Sequence, residues 1–139
     1  MIAAESVAEV MGLREPIHSL AELAAAVARG LPKSALRACV RRVVDDRAEQ
    51  RRLMYALVPE ATFKRRQQLK PEESERIERL GRVIATAEYV WDDRREAKRF
   101  LTTPHPAFAG ARPIDVARTE LGARQVEELL WQIYHGLAA

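Results

Sequence analysis

The sequence is poor in aromatic residues and in cysteine, and both shortages narrow what the protein can be. Aromatic residues make up 6% of the 139 residues, so aliphatic side chains and alanine must fill most of the core. The single cysteine, Cys39, excludes an internal disulfide bond. It fits a reducing cytoplasm and predicts a buried structural thiol. Runs of β-branched residues are almost absent, whereas residues that favour helices are abundant. We therefore predict an all-α, cytoplasmic protein.

The sequence also lacks membrane, targeting and catalytic signatures. No apolar run approaches the roughly 20 residues that a spanning helix needs, and Glu5 and Glu9 interrupt the first segment, so we predict no signal peptide and no membrane association. No phosphate-binding loop, dinucleotide-binding motif or nucleophile elbow occurs. His18, His105 and His135 are isolated from one another and lack metal-ligand spacing. We therefore expect no enzyme activity, no cofactor and no metal site.

Charge is distributed unevenly along the chain. The net charge is +3, yet residues 29–70 hold 12 Lys and Arg against 4 Asp and Glu, while the remaining segments hold 11 against 16. A basic middle between acidic ends predicts a surface that binds a polyanion. A solvated, arginine-rich helix face would explain the same pattern without a partner.

A helix-turn-helix pattern lies within this basic middle. Asp45 and Asp46 can cap a helix from Arg47 to about Val58, a break follows, and a short basic helix comes next. In this motif the second helix enters the major groove of DNA. We predict Phe63 as the anchor to the core and four DNA-binding residues: Thr62, Lys64, Arg65 and Arg66. Many helical proteins hold a basic tetrad after a turn, so the pattern alone leaves DNA contact open.

The residues before this motif predict an arm and two helices. Residues 1–17, which are interrupted by Gly12 and Pro16, predict a loosely attached arm or a short helix. A capping box at Ser19 opens the first confident helix, and Pro32 opens the second. The predicted apolar face of the first of these helices comprises Leu20, Leu23, Ala24, Val27 and Ala28.

The longest helix is predicted to begin at Pro71, with acidic residues in its first turn. Its apolar residues recur at alternating spacings of three and four, which defines a heptad seam: Ile77, Leu80, Ile84, Ala87 and Trp91. Two repeats fit either an intramolecular core helix or a dimer seam, and we favour the core helix.

The last third of the chain alternates helices with a Pro/Gly-rich elbow. Asp93 caps a helix that ends at Thr103, and the elbow, residues 103–113, follows with His105 as a turn residue or an interface contact. Pro113 opens a short helix. The last helix is predicted to begin near Gly122 or Ala123. Its apolar residues lie on one face: Val126, Leu129, Leu130, Ile133, Tyr134 and Leu137. Such an ending predicts a surface for a partner protein.

Four linked motifs in this third resemble the Xre/MbcA/ParS family of antitoxins, the partners of RES-domain toxins. They are Leu-x-x-Pro, Gly-x-x-Pro, Thr-x-x-Gly and Ile-x-x-Gly, at Leu101–Pro104, Gly110–Pro113, Thr119–Gly122 and Ile133–Gly136. Residues 57–66 resemble the family's helix-turn-helix segment. The resemblance implies an Xre-like DNA-binding half and a C-terminal toxin-binding half. We accordingly divide the chain into an arm (1–17), a helix-turn-helix domain (18–70) and a toxin-binding domain (71–139).

The resemblance also implies a partner and a mechanism. RES-domain toxins degrade NAD or transfer ADP-ribose from it, and these antitoxins bury their C-terminal helix and tail at the mouth of the NAD pocket. Carried over to this chain, the toxin-binding residues are Arg112, Trp131, Tyr134, His135, Gly136, Leu137, Ala138 and Ala139. The implied protein is the antitoxin of a type II toxin–antitoxin system that represses its own operon by binding operator DNA.

Two alternatives remain at this point. The chain could be a stand-alone helix-turn-helix regulator whose C-terminal third is a dimerisation element. Independently of this, Trp131 and Tyr134 could be packed in an ordinary core. For the antitoxin we expect a homodimer within a toxin–antitoxin hetero-oligomer, formed through the heptad seam or the N-terminal arm.

Overall fold

The computed structural model describes residues 1–65 and 67–137. Within these ranges it contains nine α-helices: α1 (Ala4–Val10), α2 (Leu20–Arg29), α3 (Lys33–Val43), α4 (Arg47–Leu57), α5 (Glu60–Arg65), α6 (Pro71–Trp91), α7 (Arg94–Thr102), α8 (Pro113–Val116) and α9 (Glu120–Tyr134). A short 3-10 helix, Pro106–Phe108, lies in the elbow. The described ranges contain no β-strand, and Pro32 and Gln68 form an isolated bridge. The all-α prediction is therefore confirmed. No helix in these ranges is both long and apolar enough to cross a bilayer.

Helix α6 is the centre of the fold, because helices from both halves of the chain pack on it. It contacts α1, α2 and α3 from the first half and α7 and α9 from the second. Ile77, Ile84 and Ala87 are fully buried, so the predicted heptad seam lies inside the monomer. The preferred reading of α6 as a core helix is confirmed. Trp91, the last residue of the seam, remains 36% exposed.

Of the two alternatives predicted for residues 1–17, the short helix is confirmed as α1. This helix belongs to the core and is not a loosely attached arm. Val7 and Val10 are buried, and Met11 is completely so. Met11 lies against Gly81 of α6, where an added Cβ would come within 3.0 Å of the methionine Cγ. Because Gly81 has no side chain, α1 and α6 can approach closely.

Helix α3 contributes an apolar stripe and the single thiol. Leu36, Val40 and Val43 are buried, and Cys39 is completely buried beside them. Burial raises the pKa of the Cys39 thiol to about 12, because the thiolate is poorly solvated there. The predicted structural role of Cys39 is confirmed.

Several helices begin at the capping residues that the sequence predicts. Ser19 Oγ accepts a hydrogen bond from the Glu22 N–H at 3.1 Å, and Asp46 caps α4 in the same way. Asp93 accepts from two N–H groups at the start of α7. One detail differs, because the Glu22 carboxylate accepts from the His18 N–H at 2.9 Å rather than from that of Ser19.

Helix α9 begins earlier than predicted. Thr119 Oγ1 accepts from the Gly122 N–H at 3.0 Å, so the helix starts at Glu120 instead of near Gly122. A Cβ on Gly122 would lie 1.8 Å from the carbonyl oxygen of Val116. The glycine is therefore required by close packing of α8 against the first turn of α9, and it does not mark a helix boundary.

Helix α2 buries a narrower face than predicted. Leu23 and Val27 are buried as expected, whereas Leu20, Ala24 and Ala28 are exposed to solvent. Leu20 is 69% exposed. Helix α2 therefore has more apolar residues than the core of the monomer buries.

Candidate functional site

Helix α5 is a short surface helix that one aromatic side chain holds in place. It begins at Glu60, shortly after α4 ends at Leu57. Phe63 is 4% exposed, and its ring packs edge-on against Tyr55 of α4 with the centroids 6.2 Å apart. The predicted order of helix, short turn and basic helix is confirmed, and so is the role of Phe63 as the anchor.

The described DNA-binding candidates lie on the outer side of α5. Lys64 and Arg65 are exposed, and Thr62 is half-buried. Lys64 Nζ lies 3.4 Å from a carboxylate oxygen of Glu60, with both side chains more than half exposed. Such a surface pair is weak, so Lys64 can exchange this carboxylate for a phosphate. Arg66, the fourth candidate, lies outside the described residues.

Helix α3 adds two cations that the sequence analysis did not assign to this surface. Lys33 Nζ lies 4.8 Å from the centroid of the Phe63 ring, and Arg37 Cζ lies 5.0 Å from it. Both distances are typical of cation–π contacts. Lys64 and Arg65 of α5, together with Lys33 and Arg37 of α3, are called the basic surface below. Lys33 and Arg37 are four residues apart, which places them on one face of a helix. This spacing could have indicated from the sequence that the two cations share a surface.

The end of α9 forms an aromatic cluster with α6. The cluster consists of Tyr89 from α6 and of Trp131, Tyr134 and His135 from the end of the chain. Ring centroids lie 5.7 Å apart for Tyr89 and Trp131, 5.4 Å for Tyr89 and Tyr134, and 5.5 Å for Trp131 and Tyr134. The centroids of Tyr134 and His135 are 5.3 Å apart. Three predicted toxin-binding residues thus come together, joined by Tyr89, which the sequence analysis missed.

The aromatic cluster is largely exposed to solvent. Tyr89 is 52% and Tyr134 48% exposed, and Trp131 is half-buried. The two tyrosine hydroxyls lie 3.4 Å apart, and this contact raises the pKa of Tyr89. Ordinary core packing does not account for a tyrosine that is half exposed. Clustered, exposed aromatic side chains are typical of protein–protein interfaces.

Gly136 turns the chain away from α9 directly after the aromatic cluster. Its φ is +72°, a left-handed conformation that favours glycine. The Leu137 N–H then donates to the Gln132 carbonyl at 2.8 Å, and the Leu137 side chain is 60% exposed. The last two predicted toxin-binding residues, Ala138 and Ala139, lie outside the described residues.

Arg112 lies in a different environment from the aromatic cluster. Its guanidinium donates to Asp115 of α8 at 2.9 Å and also to Glu49 of α4. Hydrogen bonds to these two carboxylates, first to Asp115, raise the pKa of Arg112. The structure thus shows Arg112 as a link between the elbow and the helix-turn-helix segment. Its contact with a toxin stays a prediction.

The elbow is a hydrogen-bonded loop. His105 Nδ1 accepts from the Ala107 N–H at 3.0 Å, and the His105 N–H donates to the Ala111 carbonyl at 3.1 Å. The predicted role of His105 as a turn residue is confirmed. The His105 ring also contacts Phe100 and Phe108, with centroids 5.9 Å and 5.8 Å away. These contacts hold the elbow against α7.

Two family models match adjacent parts of the chain. Residues 22–82 match the antitoxin Xre-like helix-turn-helix domain. Residues 86–136 match the antitoxin Xre/MbcA/ParS C-terminal toxin-binding domain. The first match includes the basic surface, and the second includes every member of the aromatic cluster together with Arg112 and Gly136.

A curated relative supports the same relationship. The chain is similar to antitoxin Xre of Pseudomonas putida, with 38% identity over 84 residues that cover 58% of this chain. The match covers 53% of the relative, so this chain spans about half the length of the curated relative it matches.

Proposed function

We propose that this chain, which carries the two domains of the Xre/MbcA/ParS antitoxins, is itself the antitoxin of a type II toxin–antitoxin system. Its proposed partner is a RES-domain toxin that degrades NAD or transfers ADP-ribose from it. The observation that carries the proposal is the exposed aromatic cluster, because it lies in the part of the chain that matches a toxin-binding domain.

The aromatic cluster supports a mechanism in which the tail blocks the toxin. Tyr134 is braced by Tyr89 and Trp131, and Gly136 then directs Leu137 into solvent. The cluster fixes the position and direction from which the tail leaves α9, so the start of the tail loses little conformational freedom on binding. We propose that residues 134–139 cover the mouth of the toxin's NAD pocket, while the aromatic rings contact the surface around it.

The tail is tested by co-expressing the full chain or its variants with the neighbouring toxin gene. Deletion of residues 136–139 should abolish neutralisation of the toxin, because the blocking segment is gone, while the helical circular dichroism spectrum stays unchanged. Leu121→Ala is the matched control, since Leu121 is 70% exposed on the same helix but lies in its first turn. Full protection by the truncated chain would overturn the tail mechanism.

A second proposed activity is binding to operator DNA. It is favoured by the basic surface, where Lys33 and Arg37 of α3 lie over the ring of Phe63, the residue that precedes the exposed Lys64 and Arg65 in α5. We propose that α5 enters the major groove while the α3 cations contact phosphates. The two activities are compatible because the basic surface and the aromatic cluster use different residues.

Operator binding is tested with duplex DNA from the promoter of the chain's own gene. The triple change Lys64→Ala, Arg65→Ala and Arg66→Ala should greatly weaken this binding and leave neutralisation of the toxin intact. Unchanged affinity for the duplex would show that α5 is not the recognition helix. If the promoter binds and no toxin co-purifies with the chain, the stand-alone regulator replaces the antitoxin as the best account.

A further inference from the structure

Helix α2 is apolar on almost every side. Glu22 and Arg29 are its charged residues among ten. Its exposed apolar residues are Leu20, Ala21, Ala24, Ala25 and Ala28. Helices that are apolar all round are usually buried on all sides. The outward face of α2 therefore has the composition of a contact surface, although no element of the described chain covers it.

The surfaces expected to mediate self-association are unavailable to a second copy. The heptad seam of α6 lies inside the monomer, with Ile77 and Ile84 completely buried. The apolar side of α1 is likewise covered, since Val7 and Met11 are buried. A homodimer must therefore use another face.

The outward face of α2 has an ordered pattern. At 100° per residue, Ala21, Ala25 and Ala28 form a central ridge. Leu20 and Ala24 lie on one flank, whereas the two charged residues lie on the other. A ridge of methyl groups lets a second helix approach at the short end of the usual interaxial range, about 8 Å. A ridge of uncharged methyl groups offers no contact to the phosphates of DNA.

We propose that a second copy of this chain covers this face, with the two α2 helices packed antiparallel about a two-fold axis near Ala25. Such an axis places the same flank of both helices side by side. Glu22 of each copy then lies beside Arg29 of the other, and Ala21 lies opposite Ala28. In a parallel arrangement the charged flank of one helix would instead face the apolar flank of its mate. The charge pattern therefore selects the antiparallel pair.

The intramolecular contacts of Arg29 do not oppose this arrangement. Arg29 pairs with Glu15 at 2.7 Å, but the two side chains are 59% and 47% exposed. An exposed pair of this kind contributes little stability. Arg29 can therefore exchange Glu15 for Glu22 of the other copy.

The cleft beside α2 is consistent with a helical occupant. It has a volume of about 790 Å³ and lies between α2, α6 and α9. Four charged residues of its far wall pair with one another, because Arg79 contacts Glu120 at 3.2 Å and Arg82 contacts Glu127. Glu75 and Arg124 also line the cleft. The apolar flank of α2 can be covered without separating the two pairs.

Charge exchange tests the proposed pairing in the full chain. Glu22→Arg alone and Arg29→Glu alone should each weaken dimerisation at least tenfold in sedimentation equilibrium, because like charges then face each other. The double variant Glu22→Arg/Arg29→Glu should restore the dimer. Circular dichroism of all three variants checks that each is folded. A wild-type chain that is monomeric at every concentration, or a dimer that neither single change weakens, would overturn the proposal.

Cysteine cross-linking gives an independent test of the axis. A disulfide bond requires Cα atoms about 4.4–6.8 Å apart, which only residues close to the axis satisfy. Ala25→Cys should form a covalent dimer under mild oxidation. The native Cys39 does not interfere, because it is completely buried. Ala48→Cys, at an exposed alanine of α4, is the matched control and should remain uncrosslinked. Equal cross-linking at both positions would contradict the proposed axis.

Discussion

The basic surface around α5 and the aromatic cluster at the end of α9 are both short segments at the surface that depend on aromatic side chains, but they use them in opposite ways. At α5 the ring of Phe63 is 4% exposed and lies beneath two cations of α3, while Lys64 and Arg65 are exposed to solvent. At α9 the rings themselves are outside, with Tyr134 48% exposed. A buried ring that holds cations at the surface is suited to binding a phosphate backbone. Exposed rings are suited to filling pockets on the surface of a partner protein.

The two surfaces should also differ in their response to salt. Binding to phosphates releases condensed counterions, so the affinity falls steeply as salt concentration rises. Contacts between aromatic rings and a protein surface depend chiefly on buried apolar area, which salt affects weakly. Salt titration can therefore separate the two proposed activities in one preparation.

The largest effect is expected where the two surfaces share a support. Ile84→Ala in α6 removes a completely buried side chain and should lower the free energy of unfolding by about 2–5 kcal/mol, the usual range for such a cavity. Urea denaturation measures this loss. Both binding activities should fall together as the fraction of unfolded protein rises. A loss of one activity alone would show that the halves are stabilised independently.

The next effect separates the aromatic cluster from the basic surface. Tyr134→Ala should weaken toxin binding by about 2–4 kcal/mol, as expected for an aromatic hot spot, and leave DNA affinity unchanged. Isothermal titration with the purified toxin measures the change. Tyr134→Phe is the control, because it keeps the ring and removes only the hydroxyl near Tyr89. Equal losses in the two variants would assign the effect to the hydroxyl.

Changes at single cations of α5 should be smaller and should depend on salt. Arg65→Ala should weaken operator binding uniformly across related duplexes and reduce the slope of log affinity against log salt by about 1, if Arg65 contacts one phosphate. Fluorescence anisotropy with labelled duplex DNA measures both quantities. A loss confined to one base-pair position would instead indicate that Arg65 reads a base edge.

The smallest effect is expected at Arg112. Its pairs with Asp115 and Glu49 are about one-third exposed, so Arg112→Ala should cost about 1 kcal/mol of stability after screening by solvent. Because two carboxylates of its own chain hold the guanidinium, the predicted toxin contact of Arg112 should contribute less affinity than the ring of Tyr134. Thermal unfolding and titration with the toxin measure the two effects. A loss of affinity as large as that of Tyr134→Ala would place Arg112 among the main toxin contacts.

Local signals in the sequence predicted the helices and their caps well. Ser19, Asp46 and Asp93 each cap a helix by accepting a hydrogen bond from a backbone N–H two or three positions later. Both partners of each bond therefore lie within a few residues of sequence. The seam of α6 was predictable for the same reason, because its apolar spacing repeats within one helix. These features need no knowledge of distant residues.

Features that depend on distant contacts were missed. Met11 is buried because Gly81 leaves room for it, and the periodicity of a seven-residue helix carries no trace of that contact. Gly122 was predicted to lie near a helix boundary, because the sequence does not show that Val116 packs against it. Tyr89 lies off the predicted seam of α6, and its pairing with Tyr134 requires the position of α9. The structure shows that Lys64 and Arg65 are exposed and that Thr62 is half-buried. The role of these three residues in DNA binding stays a prediction.

The two matched domains meet inside a single helix, since one match ends at residue 82 and the other begins at residue 86, while α6 runs without a break from Pro71 to Trp91. At its start, Arg76 donates to the Leu57 carbonyl at the end of α4 at 3.0 Å, and near its end Tyr89 joins the aromatic cluster. Each residue inserted between these positions would turn everything beyond it by about 100°. An insertion or a recombination event at this junction therefore keeps the two halves in their relative orientation only if it preserves the helical phase of α6.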